Sequence, residues 1–283
     1  MSNKLQLAIL DLYNGIPNQG MRCIKDIVEA FSDEVEYQIF DVRGAREIPS
    51  LDQFDIFISS GGPGDPLEGD GVWEVAYNNW LDAVWAYNQT EVRKKHVFFI
   101  CHSFQMAIHH YGLAKVGPRK SISFGTFPVH PVDGGVDDPI FAELDQPFYV
   151  ADFRRYQVTQ PNDEAIAAMG AEIIALEKIR PHVPLERAVM GIRWSPEIVG
   201  TQFHPEADAE GMLSHFSRPD IKAEVITEHG RDKWLQMMAD LSDENKIGKT
   251  HDVVIPTFIR NAIDTLRKQE DSQPSVYDFK TSK

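Results

Sequence analysis

Cys101 closes the apolar run Val97-Phe98-Phe99-Ile100 and is followed by His102-Ser103-Phe104-Gln105, where a helical pattern begins. A second apolar run, residues 198–203, ends at His204-Pro205-Glu206. A thiol placed where a strand gives way to a helix gains from the positive end of the helix dipole. It also gains from the unpaired N–H groups of the first turn, and both favour the thiolate. An imidazole beside it can take and return a proton, and a carboxylate can hold that ring in one tautomer. These three residues suit acyl transfer through a thioester. Attack on a carboxamide carbonyl develops an oxyanion, which needs donors already aimed at it. The N–H of His102, next to the thiol, is one candidate. The turn Gly61-Gly62-Pro63-Gly64 supplies the other from Gly62, because Pro63 has no N–H and glycine lets backbone and substrate approach closely.

Each feature has a plainer reading. Cys101 alone would be a small buried apolar residue, and Cys23, on the apolar face of its own helix, is expected in the core. The glycine stretch alone is a tight turn. It lacks the Lys-Ser/Thr of a phosphate-binding loop, so it is not read as a nucleotide site. His102, His109 and His110 have no Cys/His/Asp set at ligand spacing, and no metal is expected. Trp73, Trp80 and Trp85 read as packing. The conjunction of thiol, glycine turn and His-Pro-Glu is what favours catalysis.

The elements that must position these residues alternate along the first half of the chain. Residues 5–12, 35–42, 54–59 and 96–100 read as strands; residues 21–31, 72–87 and about 103–112 have helical spacing. That alternation is the pattern of a mainly parallel sheet covered on both faces. Residues 121–132, 148–150, 172–176 and 188–194 form short β-like runs separated by turn residues, which suggests antiparallel pairing leading back to the strand at 198–203. Beyond Glu206 the chain turns helical, at roughly 207–216, 221–229, 232–241 and 253–268. Residues 269–283 are polar and are expected to fray. The expected division is residues 1–210 as one α/β unit and 211–283 as a helical C-terminal extension. Sequence does not choose whether that extension is a core cap, a lid or a docking surface.

The 283 residues carry 28 Lys plus Arg against 43 Asp plus Glu, a net charge of −15. So acidic a surface repels phosphate backbones, and nucleic-acid binding is not expected. Two cysteines are too few for a disulfide framework, residues 1–4 lead into a strand without a signal-peptide core, and no apolar run is long enough for a bilayer. A cytoplasmic protein with no membrane partner is expected.

Three stretches, Ser60-Gly61-Gly62-Pro63-Gly64-Asp65-Pro66, Cys101 with Gln105, and Gln202-Phe203-His204-Pro205-Glu206, occur in the order found in triad-type class I glutamine amidotransferase domains. The chain resembles that family over roughly residues 5 to 210. The expected fold is a flavodoxin-like three-layer αβα sandwich with its site at the carboxyl ends of the strands. The resemblance implies that Cys101 forms a γ-glutamyl thioester, that His204 is base and then acid, and that Glu206 orients it. It also implies an oxyanion hole from Gly62 and His102, with Gln105 holding glutamine, and no cofactor. The sequence carries no Ser-Gly-Gly-x-Asp-Ser pyrophosphatase signature, so either the synthase is a separate subunit or the protein works alone on a γ-glutamyl compound. Two departures stand out. Phe99 and Ser103 occupy positions where the family usually has glycine, and Arg154-Arg155-Tyr156-Gln157 lacks the histidine of the family's middle segment. Two other readings stay open, the first of them motivated by Phe99 and the missing histidine. One is a hydrolase or acyl-transfer enzyme acting on γ-glutamyl conjugates or another acyl donor. The other is a non-catalytic module that binds a partner through its helical tail.

Overall fold

Four neighbouring strands are buried at nearly every position: β1 (Leu5–Asp11), β3 (Ile56–Ser59), β4 (His96–Ile100) and β9 (Ile198–Thr201). Strands that read as continuous apolar runs need cover on both faces, and here helices provide it. Successive side chains of a strand point to opposite faces. Leu7 and Ile9 therefore pack with α1 (Gln19–Glu29) and α8 (Lys249–Asp271), whereas Ala8 and Leu10 share a core with α2 (Trp73–Thr90) and α3 (His102–His110). The computed structural model describes residues 4–271.

Nine strands among these residues form one sheet in the order β2-β1-β3-β4-β9-β8-β7-β5-β6. Here β2 is Val35–Asp41, β5 Ala114–Pro131, β6 Phe148–Pro161, β7 Glu172–Glu177 and β8 Val189–Arg193. The pairs from β2 through β9 are parallel, and those from β9 to β6 are antiparallel. This is the flavodoxin-like three-layer arrangement expected, with its antiparallel edge.

The strand expected over residues 148–150 runs on to Pro161, because Asp152 and Arg154 are buried as an ion pair and so break the apolar pattern without leaving the sheet. A short helix not expected from the pattern, α4 (Asp163–Met169), is fixed by its ends. Asn162 accepts a hydrogen bond from the Ala165 N–H, and Gly170 takes the left-handed conformation at φ 66°.

The C-terminal segment comprises α5 (Ala209–Ser217), α6 (Pro219–His229), α7 (Arg231–Leu241), a π-helical turn at Glu244–Gly248, and α8. α8 belongs to the main core, where Phe258 meets Phe98 edge-on with ring centres 5.3 Å apart. α5–α7 instead pack on aromatic residues of the β5–β6 hairpin. Of the stretch expected to fray, residues 269–271 continue α8 and the rest lie outside the described residues. Among the described residues no helix is long and apolar enough to cross a membrane.

Candidate active site

Parallel pairing of β4 with β9 places the two sequence-distant motifs side by side: Ile100 is opposite Thr201, and the Cys101 N–H donates to the Thr201 carbonyl at 2.8 Å. The chain turns sharply there. Cys101 has φ 47° and ψ −93°, a conformation that costs an L-residue on the order of 1–3 kcal/mol and persists only where the surroundings enforce it. The turn lifts the thiol above the sheet at the start of α3, whose first N–H groups have no intrahelical partner.

His204 is held by its own backbone, which donates to the Ala151 carbonyl of β6 at 3.0 Å. Its Nδ1 lies 2.7 Å from Oε1 of Glu206, a residue only 1 % exposed. A carboxylate only accepts, so Nδ1 carries a proton and Nε2 is left to exchange one with the thiol. Burial works against protonation of His204. The Glu206 and Cys101 charges and hydrogen bonds from both outweigh it and hold the imidazole pKa well above its ordinary value. Glu206 is held in turn through its backbone. The Glu206 carbonyl accepts from His251 Nδ1 at 2.9 Å, and a Cβ on Gly20, in the first turn of α1, would stand 3.3 Å from Glu206 Oε1. That turn presents the positive end of α1 to the acid.

The glycine turn follows β3. Here the glycines serve close packing: a Cβ on Gly62 would fall 2.8 Å from the Leu12 carbonyl, and one on Gly61 would fall 2.9 Å from His204 Cε1. Ser60 pins the loop, accepting from the Leu12 N–H at 2.9 Å and donating to the Gly61 carbonyl at 2.8 Å. Arg43 clamps it from outside. Its Nη1 donates to the carbonyls of Leu12 (3.2 Å) and Pro63 (2.6 Å), and its guanidinium lies 4.7 Å from the Trp73 ring centre. The His102 side chain is buried and pushed down to about 4, chiefly by burial and then by Arg43, so its ring is neutral.

Two cavities meet at Cys101. One, of about 480 Å³, lies on the side of His204, Glu206 and Asp208. The other, of about 420 Å³, lies on the side of His102, Gln105 and Tyr156. Phe124 and Phe153 line both and stand between them, with ring centres 5.2 Å apart. Phe216 of α5 lines the first, and His229, stacked on Phe124 at 4.3 Å, lines the second.

The class-I glutamine amidotransferase model matches residues 18–218 of the chain. The chain belongs to this family. Its fold is shared with a glutamine amidotransferase of Thermotoga maritima (TM-score 0.66, 15 % identity, 93 % of this chain and 100 % of that one). It is likewise similar to a glutamine amido transferase of Methylobacillus flagellatus (TM-score 0.62, 15 % identity, 94 % and 95 % coverage). The glutaminase domain of Trypanosoma brucei CTPS, solved with bound acivicin, matches over 72 % of this chain and 86 % of that one, at TM-score 0.52 and 16 % identity. At these identities the likeness is one of fold. No curated protein sequence matches the chain.

The amidotransferase departures have local compensations. Phe99 is opposite Gly200 on β9, where a Cβ would lie 2.8 Å from that of Phe99. The ring of Phe99 packs edge-on to Trp194 at 5.6 Å. The room lost on one strand is thus recovered on its neighbour. Ser103 is fully buried and uses its hydroxyl, accepting from the Ile100 N–H at 2.9 Å and donating to the Ser59 carbonyl at 2.8 Å. In the middle segment Tyr156 donates to Asp65 of the glycine loop, while Gln157 Oε1 accepts from Arg119 at 3.1 Å. Gln105 is 3 % exposed and its Nε2 has no partner, on the wall of the second cavity. Cys23 is buried as expected, yet it lines the first cavity.

Tyr13 and Arg43 were not singled out from sequence. Tyr13 lies just beyond β1, its hydroxyl 2.8 Å from where a Gly61 Cβ would stand, and the charges of His204, Glu206 and Cys101 all act on it. Its place after the first parallel strand was the available signal. Arg43 had none, because it binds backbone carbonyls of Leu12 and Pro63, which no side-chain pattern marks. Arg43→Met is expected to lower kcat about tenfold with little change in KM, less than the hundredfold or more typical of losing an oxyanion donor itself. An effect on KM alone, measured in steady state, would contradict that positioning role.

Proposed function

We propose that the protein hydrolyses the side-chain amide of glutamine or a closely related γ-glutamyl compound through a thioester on Cys101. The supporting observation is the junction itself: a strained, cavity-facing thiol beside an imidazole whose Nδ1 is bound to a buried carboxylate. In this reading His204 takes the thiol proton and then delivers it to the departing nitrogen, and Glu206 fixes the ring. The N–H groups of Gly62 and His102 receive the developing oxyanion. The second cavity suits an amino-acid head group, with Arg155 and Glu228 offering opposite charges and Gln105 an unused donor. When glutamine is the substrate the product is ammonia, and its acceptor belongs to a separate synthase subunit. The helices after residue 210 complete the walls of the site in this scheme.

Intact-mass analysis after exposure to a glutamine-mimicking electrophile tests the reading. One adduct is expected, absent from Cys101→Ser. Cys23 should remain unmodified, because burial and its hydrogen bond to Asp208 push that thiol up to about 12. No adduct on Cys101, together with no ammonia release from glutamine, would instead favour a non-catalytic partner-binding module.

A further inference from the structure

The first cavity has a size and position that release of ammonia does not explain. An amide bound for attack has its carbonyl oxygen toward Gly62 and His102 and its carbon over the sulfur. The acyl chain and the nitrogen then lie on opposite sides of the thiol. His204 is the base paired with the thiol and the group that returns its proton, so the nitrogen is on the His204 side and the acyl chain runs toward Gln105 and Tyr156. The space on the nitrogen side is about 480 Å³, whereas a molecule the size of water or ammonia occupies roughly 30 Å³. Its apolar lining is largely aromatic, made by Phe124, Phe153 and Phe216 with Met212 of α5. Such walls favour a hydrophobic substituent, although the lining also carries Tyr13, Gln19 and His215 beside the catalytic pair and the Arg22–Asp208 ion pair.

We propose that the first cavity is a leaving-group site for the substituent of a secondary γ-glutamyl amide, an apolar group of aromatic size on the amine nitrogen. The proposal rests on the assignment of Cys101 as the acylated residue and replaces ammonia by a larger amine. The thiolate sulfur bonds to the amide carbon; as the tetrahedral adduct collapses, the C–N bond breaks and the nitrogen takes the proton held on His204. The free amine leaves through the first cavity. Water entering the vacated space gives its proton to His204 and its oxygen to the thioester carbon. The C–S bond then breaks, releasing glutamate and regenerating the thiolate–imidazolium pair.

The test compares γ-glutamyl-benzylamide, γ-glutamyl-methylamide and glutamine on the full chain, reading free amine and glutamate. The benzylamide is expected to be cleaved with kcat/KM at least tenfold above the methylamide, two alkylamines of similar electronic character. Met212→Trp, which fills the cavity, is expected to reduce that ratio at least tenfold. Cleavage of glutamine and methylamide with an inert benzylamide would overturn the leaving-group site while leaving acylation of Cys101 intact. A benzylamide preference unmoved by Met212→Trp would also overturn it, by placing the amine elsewhere. If no amide is cleaved and Cys101 takes no electrophile, this proposal and the function it rests on both fail.

Discussion

Cys101→Ala is expected to lower kcat for amide hydrolysis by about 10⁴-fold or more, because without the sulfur no acyl intermediate forms and only binding and oxyanion contacts remain. His204→Ala should cost a similar factor, and the two losses should not add, since thiol and imidazole act as a unit. Glu206→Gln should be milder in kcat and distinctive in pH dependence. The Glu206 charge, with that of Cys101, overrides burial to hold the His204 pKa well above 6.5. The protonated imidazole, needed for the departing nitrogen, is therefore present through neutral pH and is lost only as pH rises through that raised value. The alkaline limb of kcat/KM should lie there in the parent protein and move to lower pH in Glu206→Gln. A limb that stays in place would show that the carboxylate does not set the ring's proton affinity.

Arg154→Met is expected to destabilise the fold by about 3–5 kcal/mol, the usual cost of removing one partner from a buried ion cluster. Arg154 is 4 % exposed; its Nε lies 2.8 Å from Asp152 and its Nη2 3.1 Å from Glu177. Asp152 also accepts from the Ser123 hydroxyl at 2.6 Å, and Glu177 pairs with Arg119 at 3.0 Å. Without the guanidinium, two carboxylates remain inside the β5–β6–β7 region; Glu177 keeps its pairs with Arg119 and Arg180, whereas Asp152 keeps the Ser123 hydroxyl. Urea unfolding followed by far-UV circular dichroism would read the loss as a lower midpoint. A change under about 1 kcal/mol would mean that water replaces the guanidinium, contrary to the burial of all three side chains. The cluster sits behind Tyr156, whose backbone carbonyl accepts from Arg154 at 3.3 Å, so the second cavity should loosen as well.

Much of the framework was legible because it is carried by local patterns. The buried runs at β1, β3, β4 and β9 are continuous in sequence, and the face of α1 repeats at helical spacing. Strand ends could be tied to Cys101 and to His204-Pro205-Glu206 by that pattern alone. β6 was legible only in part, since Asp152 and Arg154 look like surface residues until their mutual pairing inside the sheet is known. The same holds for Phe99. On one strand it reads as a misfit in a turn that favours glycine, and only its partner Gly200 across the ladder shows where the ring finds room.

By itself the sequence determined the order of all the main elements except α4, the side chains chemically suited to act as nucleophile, base and acid, and the glycines that allow close approach. These follow from side-chain chemistry and from periodicities within a few turns or strands. Tertiary structure decided that cavities open on both sides of the thiol and how large each is. It also decided that α8 joins the main core while α5 and α6 wall the site, and that Arg43 braces the glycine loop. Cavities and braces arise where segments far apart in the chain meet, and no spacing along one segment encodes the volume left between two others.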